Sequence, residues 1–213
     1  MKYDMVAFDL DGVIVTERSS WEWVHRHFGA DNSESLAAFC NGEIDDMEFM
    51  RTDIAKWMRI NPGVTSSHIK EILMGAKLIE GAREAIQSIK STGARTCIVS
   101  GGIDLLADHI GEICGVDRVI SNGLRTDEQG KLIGDGILRV ELRDKASALL
   151  SIAKDFDIDP AKCAAVGNSW VDVSMFEVCG LGIAFNPIDS KTITEADVVV
   201  ESNDLRDILP HLD

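Results

Sequence analysis

The sequence is short of positive charge. Against 36 acidic residues it sets 21 lysines and arginines, for a formal net charge of -15 over 213 residues. An acidic surface repels nucleic acid and anionic membrane alike, so neither is expected as the main partner, although a local basic pocket is compatible with the total. No apolar run approaches the ~20 residues that a membrane-spanning helix needs. No charged-then-apolar leader precedes the first strand-like segment, so a cytoplasmic protein is expected. Cysteine is sparse and odd in number, at positions 40, 97, 114, 163 and 179. No two have close metal-ligand spacing, and most lie within apolar runs, which reads as buried free thiols in a reducing compartment. Internal repeats and low-complexity tracts are also missing.

What is present is an ordinary globular composition, with 45% hydrophobic and 27% charged residues. The length suits one core domain with a smaller insert. Short β-branched or apolar runs recur at 5–8, 96–99, 118–120, 163–166, 182–185 and 197–200, with helix-like stretches such as GAREAIQSIKSTG and KASALLSIAKDF between most of them. That alternation predicts an α/β fold with a parallel sheet core and helices on both faces. Ligands of such sheets bind beyond the carboxyl ends of the strands.

Two segments break the alternation. From about Thr16 to Lys77 there is only helical periodicity. Ser19 or Ser20 can cap a helix bearing Trp21, Val24, His25 and Phe28, and a second helix carries Met47, Met50, Ile54, Trp57 and Met58. Residues 1–15 and 78–213 then form the core, with 16–77 a helical insert directly after the first strand. The second break, at 121–138, has an acidic, glycine-containing turn between two short runs and reads as a hairpin.

Four strand-to-helix junctions carry chemistry. The first strand delivers Asp9 and Asp11 on one face, followed by Gly12. Like charges so placed repel, unless a cation stands between them or one holds a proton. This suits a nucleophilic carboxylate beside a general acid/base with a hard divalent cation; a solvated turn is the plain alternative. The VSGG stretch at 99–102 offers Ser100 and the Gly101 and Gly102 amides as an anion site, or simply a helix cap. Lys145 opens a helix, where its charge opposes the macrodipole, so it is either a surface lysine or the partner of an anion. The segment AAVGNSWVDVSMF at 164–176 sets Asp172 about one turn after Asn168, which also suits an ordinary helix start. On one sheet edge, the four together supply carboxylates, anion-binding amides, a cation and oxygen ligands, an inventory for phosphoryl transfer.

In these motifs the sequence resembles the haloacid dehalogenase-like hydrolases, and within them the phosphoserine phosphatase-like branch. The match rests on Asp9-Leu10-Asp11-Gly12-Val13, Ser100-Gly101-Gly102, Lys145 and Gly167-Asn168-Ser169-Trp170-Val171-Asp172, in order over nearly the whole chain. The resemblance implies a Rossmann-like core, with residues 16–77 as the substrate-covering cap and a small hairpin at 121–138. It implies that Asp9 attacks phosphorus, that Asp11 serves as acid and then base, and that Ser100, the Gly101 amide and Lys145 hold the phosphoryl group. Magnesium would be bound by Asp9, the Asp11 carbonyl and Asn168, with Asp172 supporting. The implied activity is hydrolysis of a small phosphorylated metabolite; a sugar phosphomutase or a non-catalytic phospho-ligand binder are the alternatives.

The sequence departs from that family in two places. Asn168 stands where the fourth motif usually has aspartate. Phosphoserine phosphatases also read the amino acid with a glutamate after the first motif and a cap arginine. Here Glu17 sits near the first position, where an ungapped comparison puts Arg18, and the second falls near Ile54, with Arg51 three residues earlier. Elsewhere in the cap, Trp21 is expected to pack, and Trp23 and Arg26 are candidates to face a substrate.

Overall fold

The computed structural model describes residues 1–213. Strand β1 (Met5–Phe8) is the middle of a seven-stranded sheet. Four helices follow it: α1 (Ser20–Phe28), α2 (Ser33–Asn41), α3 (Asp46–Ile60) and α4 (Ser66–Leu73). The chain then alternates through α5 (Ala82–Ser91), β2 (Arg95–Ile103), α6 (Asp104–Cys114), β3 (Arg118–Thr126) and β4 (Leu132–Ile137). It ends with α7 (Lys145–Asp155), β5 (Cys163–Gly167), α8 (Val173–Val178), β6 (Leu181–Phe185), α9 (Ser190–Glu195) and β7 (Val198–Val200). The strand order is β4-β3-β2-β1-β5-β6-β7, with only β3 and β4 antiparallel. Strand order reverses direction beside β1, and the crevice at such a reversal is where open α/β sheets bind ligands.

The central strands are apolar throughout because both their faces are covered. Val6 and Phe8 point into one core with Ala85, Ile86 and Ile89 of α5 and Leu106 and Ile110 of α6. Met5 and Ala7 point into the other, with Leu149 and Ile152 of α7 and Met175 and Phe176 of α8. This is the two-residue period of a strand sorting one sequence into two cores. Ile54, Trp57, Ile69 and Leu73 of the inserted helices join the first core. No helix is long and apolar enough to cross a membrane.

The hairpin expected at 121–138 is formed by β3 and β4. Its turn is tied by the Asp127 carboxylate, which accepts from the Gln129 and Lys131 amides at 2.9 Å each. The VSGG stretch behaves differently from expectation. Rather than opening a helix at Gly101, the chain stays extended to Ile103, with a register irregularity after Ser100, and α6 starts at Asp104. Two consecutive glycines have no side chains to pack, and a bulge there turns the backbone away from the sheet.

Trp57 is fully buried and its indole N–H donates to His25 Nδ1 at 3.0 Å. His25 Nε2 in turn meets Asp53 at 2.9 Å. Indole is only a donor, so His25 must accept at Nδ1 and carry its proton on Nε2. Trp57→Ala should therefore destabilise the protein by about 3–5 kcal/mol, through the cavity and the stranded imidazole acceptor. Urea denaturation measures this, and a loss under 1 kcal/mol would contradict the role given to Trp57.

Candidate active site

The site assembles where β1 ends. Asp9 and Asp11 are both buried there, and Gly12 follows with φ of +78°. A Cβ at Gly12 would lie 2.1 Å from Asn168 Nδ2, so both backbone conformation and space require glycine. Asp9 is fixed from below by its N–H, which donates to the Val166 carbonyl of the neighbouring strand at 2.9 Å.

Lys145 answers the question raised by its place at a helix start. Its buried ammonium lies 2.8 Å from Asp9 Oδ1 and 2.6 Å from Asp172 Oδ1. Burial works against its charge, but the Asp172 and Asp9 carboxylates more than reverse that, and its pKa is raised. Asp9 is driven the other way from a normal acid. Burial, and then the nearby Asp172 and Asp11 charges, push it up to about 7 despite Lys145. Asp11 is also raised by burial, while the hydrogen bonds from Ser20 oppose the shift.

The 100–103 bulge forms the next wall. Gly102 N–H turns back onto Ser100 Oγ at 3.0 Å, so of the two expected glycine amides this one is already used. The Gly101 carbonyl accepts from Trp21 Nε1 at 3.1 Å and Asn122 Nδ2 at 3.3 Å. Leu142 lies over Gly101 so closely that a Cβ there would meet its Cδ2 at 2.3 Å. Ser19 caps α1, and the Ser20 N–H and Oγ both donate to Asp11 Oδ2, each at 2.8 Å.

Asn168 and Asp172 complete the ring. Asp172 Oδ2 accepts from the Asn168 amide at 2.9 Å and the Ser169 amide at 3.1 Å, while its Oδ1 holds Lys145. Both oxygens are thus engaged by the protein, which suits the supporting place the motif gives Asp172 and leaves it no oxygen free for an ion. The Asn168 side chain neither caps the following helix nor hydrogen-bonds the protein; it lines a cavity of about 300 Å³ together with Asp9, Asp11, Ser100, Gly101 and Lys145.

The substrate-reading residues do not fall as the sequence suggested. Arg51 is turned away from the cavity to the hairpin, where its Nε donates to Asp135 at 2.8 Å; the cavity face of α3 is instead Asp46, Phe49, Met50 and Asp53. Glu17 is paired with Arg26 and does not line the cavity, whereas Arg18 does. Trp21 packs as expected, its ring stacked on that of Trp57 at 5.4 Å between centroids, but Trp23 does not line the cavity. Trp21 reaches the cavity wall, and Trp23 packs near Gly75. Ser20, Asn122 and Arg143 were missed. Arg143 lies over both the Phe39 and Trp170 rings and donates to the Phe39 carbonyl at 2.6 Å, joining α2 to the core. Only the serine pair before the first helix hinted at one of them.

The donor set fits a hard divalent cation. Asp9 and Asp11 are two buried carboxylates beside one ammonium that also serves Asp172, and Asp11 Oδ1 has no protein partner. Surplus negative charge with an unengaged carboxamide alongside is the oxygen-rich chemistry such ions select. No three His, Cys, Asp or Glu side chains are grouped as a metal site; Asn168 adds an amide oxygen at this edge.

Comparison with known proteins agrees with this geometry. The family model for haloacid dehalogenase-like hydrolases matches residues 6–177, and the chain belongs to that family. Within it, the chain falls in the phosphoserine phosphatase-like branch. It is 31% identical over 209 residues to phosphoserine phosphatase of Idiomarina loihiensis, covering 96% of this chain and 91% of that one. It is likewise 31% identical over 184 residues to phosphoserine phosphatase of Archaeoglobus fulgidus, covering 85% of this chain but only 52% of the longer relative. A solved phosphoserine phosphatase, trapped as a phospho-aspartyl intermediate analogue, superposes over the full length of both chains with a TM-score of 0.84 at 27% identity.

The elevated Asp9 pKa has a consequence for stability. The folded protein keeps this proton up to about pH 7, whereas a free aspartate releases it near 3.8. Between those values the folded state binds more protons, so Asp9 favours folding at low pH and opposes it as pH rises through 7. With divalent cations chelated, Asp9→Asn should be more stable than wild type at pH 8, on the order of a few kcal/mol. The difference should vanish near pH 4. Thermal melts across this range check it, and a variant less stable than wild type at pH 8 would contradict the assigned burial and repulsion.

Proposed function

We propose that this protein is a magnesium-dependent phosphatase that hydrolyses a small phosphomonoester through an aspartyl-phosphate on Asp9. The observation that carries this reading is the Lys145 ammonium shared between Asp9 Oδ1 and Asp172 Oδ1 at the sheet's reversal point. It pins one oxygen of Asp9 and leaves the other to attack in line. Lys145 also adds a fixed positive charge beside the phosphoryl oxygens, where preorganised charge contributes most. Ser100 and the Gly101 amide hold those oxygens. Asp11 gives its proton to the departing alkoxide, then takes one from the water that attacks phosphorus and releases Asp9. Asp9, the Asp11 backbone carbonyl and Asn168 would hold magnesium, which when bound neutralises charge on the transferred group. Residues 16–77 act as the cap that excludes water, and the curated relatives' activity on a small phosphorylated substrate supports the same reading.

The cap wall argues for breadth in the leaving group. Arg18 is its basic residue, facing Glu22, Asp46 and Asp53 and the apolar Trp21, Phe39, Phe49 and Met50, and Arg51 is tied elsewhere. A panel of phosphorylated metabolites, scored by phosphate release with magnesium, tests the function directly. Release should be catalytic and need no bisphosphate activator. Phosphoserine should lie within about tenfold of the other good substrates in kcat/KM, a span of only ~1.4 kcal/mol. A larger preference would show that the cap reads an amino acid after all.

Asn168 supplies a separate test. A neutral amide holds a divalent ion less tightly than a carboxylate, so Asn168→Asp should lower the magnesium concentration for half-maximal activity by roughly tenfold or more. Substrate preference should not change. Identical magnesium titrations would remove Asn168 from the ligand set.

A further inference from the structure

Asp11 has two oxygens in opposite circumstances, and one residue of the first inserted helix creates the difference. Oδ2 accepts from both the Ser20 N–H and the Ser20 hydroxyl, at 2.8 Å each. Oδ1 is buried and has no protein partner. Ser20 Oγ also accepts from the Ile103 N–H at 3.0 Å, and Asp11 Oδ2 is the acceptor to which its own proton is directed. A serine hydroxyl has one proton to give, and this arrangement commits it to Asp11. Two donors already occupy Oδ2, so a proton on the carboxyl must sit on Oδ1, on the side from which it can be handed to a leaving group.

Ser20 is also the first residue of α1, and the next residue, Trp21, donates to the Gly101 carbonyl. The start of the inserted segment is thereby tied to the general acid and to the phosphate-binding bulge within two residues. A Cβ at Gly102 would meet Ser20 Oγ at 2.7 Å and Asp11 Oδ2 at 2.8 Å, so the three groups leave no room for another arrangement.

We propose that Ser20 is a positioning residue that fixes the proton of Asp11 on Oδ1. The inference rests on the phosphatase reading. In the first step the Asp9–phosphorus bond forms as the phosphorus–oxygen bond of the ester breaks, and the Oδ1 proton passes to the departing oxygen, leaving Asp11 ionised. In the second, water adds to phosphorus, its proton returns to Asp11, and the Asp9 carboxylate departs. Without the Ser20 hydroxyl the carboxyl is held by a single N–H and is free to turn or to carry its proton on either oxygen.

The test compares kcat/KM, which reports the first irreversible step, for an alkyl phosphate and for 4-nitrophenyl phosphate. Ser20→Ala should lower the alkyl value about tenfold or more, a fraction of the roughly 10²–10⁴ typical of general acid catalysis. The nitrophenyl value should fall less than about threefold, since that leaving group departs without a proton. Ser20→Thr, which keeps the hydroxyl, should restore most of the alkyl activity. In an Asp11→Asn background, Ser20→Ala should cost less than about twofold, because it acts through Asp11. Should Ser20→Ala not fold, Ser20→Cys serves in its place, with similar shape and a weak donor. Equal losses on both esters, or an undiminished cost in the Asp11→Asn background, would overturn the assignment. Failure of the unaltered protein to release phosphate from either ester would instead strike the phosphatase reading itself.

Discussion

The buried ammonium of Lys145 is the contact on which the site depends. Three carboxylates, Asp9, Asp11 and Asp172, are buried together at this edge of the sheet, and one cation, paired with Asp9 and Asp172, is there to meet them. A buried ion pair contributes little net stability, but removing one partner strands a charge and costs about 3–5 kcal/mol. Lys145 must therefore be held, and the fold holds it from both sides: as the first residue of α7 below, and through Asp172 in the loop after β5. Asp172 is held in turn by the Asn168 and Ser169 amides, so the third and fourth junctions of the sheet act as one clamp on the first. Asp9 remains poorly neutralised, with a pKa near 7, and that residual charge imbalance is what a divalent cation would relieve.

Much of this was legible in the sequence, for identifiable reasons. β1 and β5 are continuous apolar runs because both faces are covered, and such runs end abruptly at Asp9 and Gly167. The motif residues sit at those ends, so finding the strands found the site. Long-range pairings were less accessible. Nothing local indicates that Arg51 turns to Asp135, 84 residues away, or that Glu17 is neutralised by Arg26. That Trp21 and not Trp23 lines the cavity is a matter of helix phase. Two residues differ by about 200° around a helix, and the docking of α1 through Ser20 decides which of them faces the cavity. The extension of β2 through Gly101 and Gly102 was hidden because two glycines carry no periodicity to read.

The inserted helices and the core touch at points that also serve chemistry. Leu142, which covers Gly101, donates its N–H to Asp46 of α3 at 2.8 Å, and the adjacent Arg143 grips the end of α2 just before Lys145. On the opposite side Ser20 and Trp21 meet Asp11 and the bulge. The cavity is thus flanked by two sets of contacts, each within a few residues of a group to which the proposed function gives the phosphoryl oxygens or the proton. On the proposed function, specificity lies in a wall of apolar and acidic residues and chemistry in a floor made of the sheet.

The central claim is that Asp9 becomes covalently phosphorylated. Rapid acid quenching of the enzyme during turnover of a phosphomonoester, followed by peptide mapping by mass spectrometry, tests it most directly. The account predicts a phosphoryl group on the peptide containing Asp9, appearing before free phosphate accumulates, and lost in Asp9→Asn. Turnover with the phosphoryl group never found on Asp9, or found on a different residue, would contradict it.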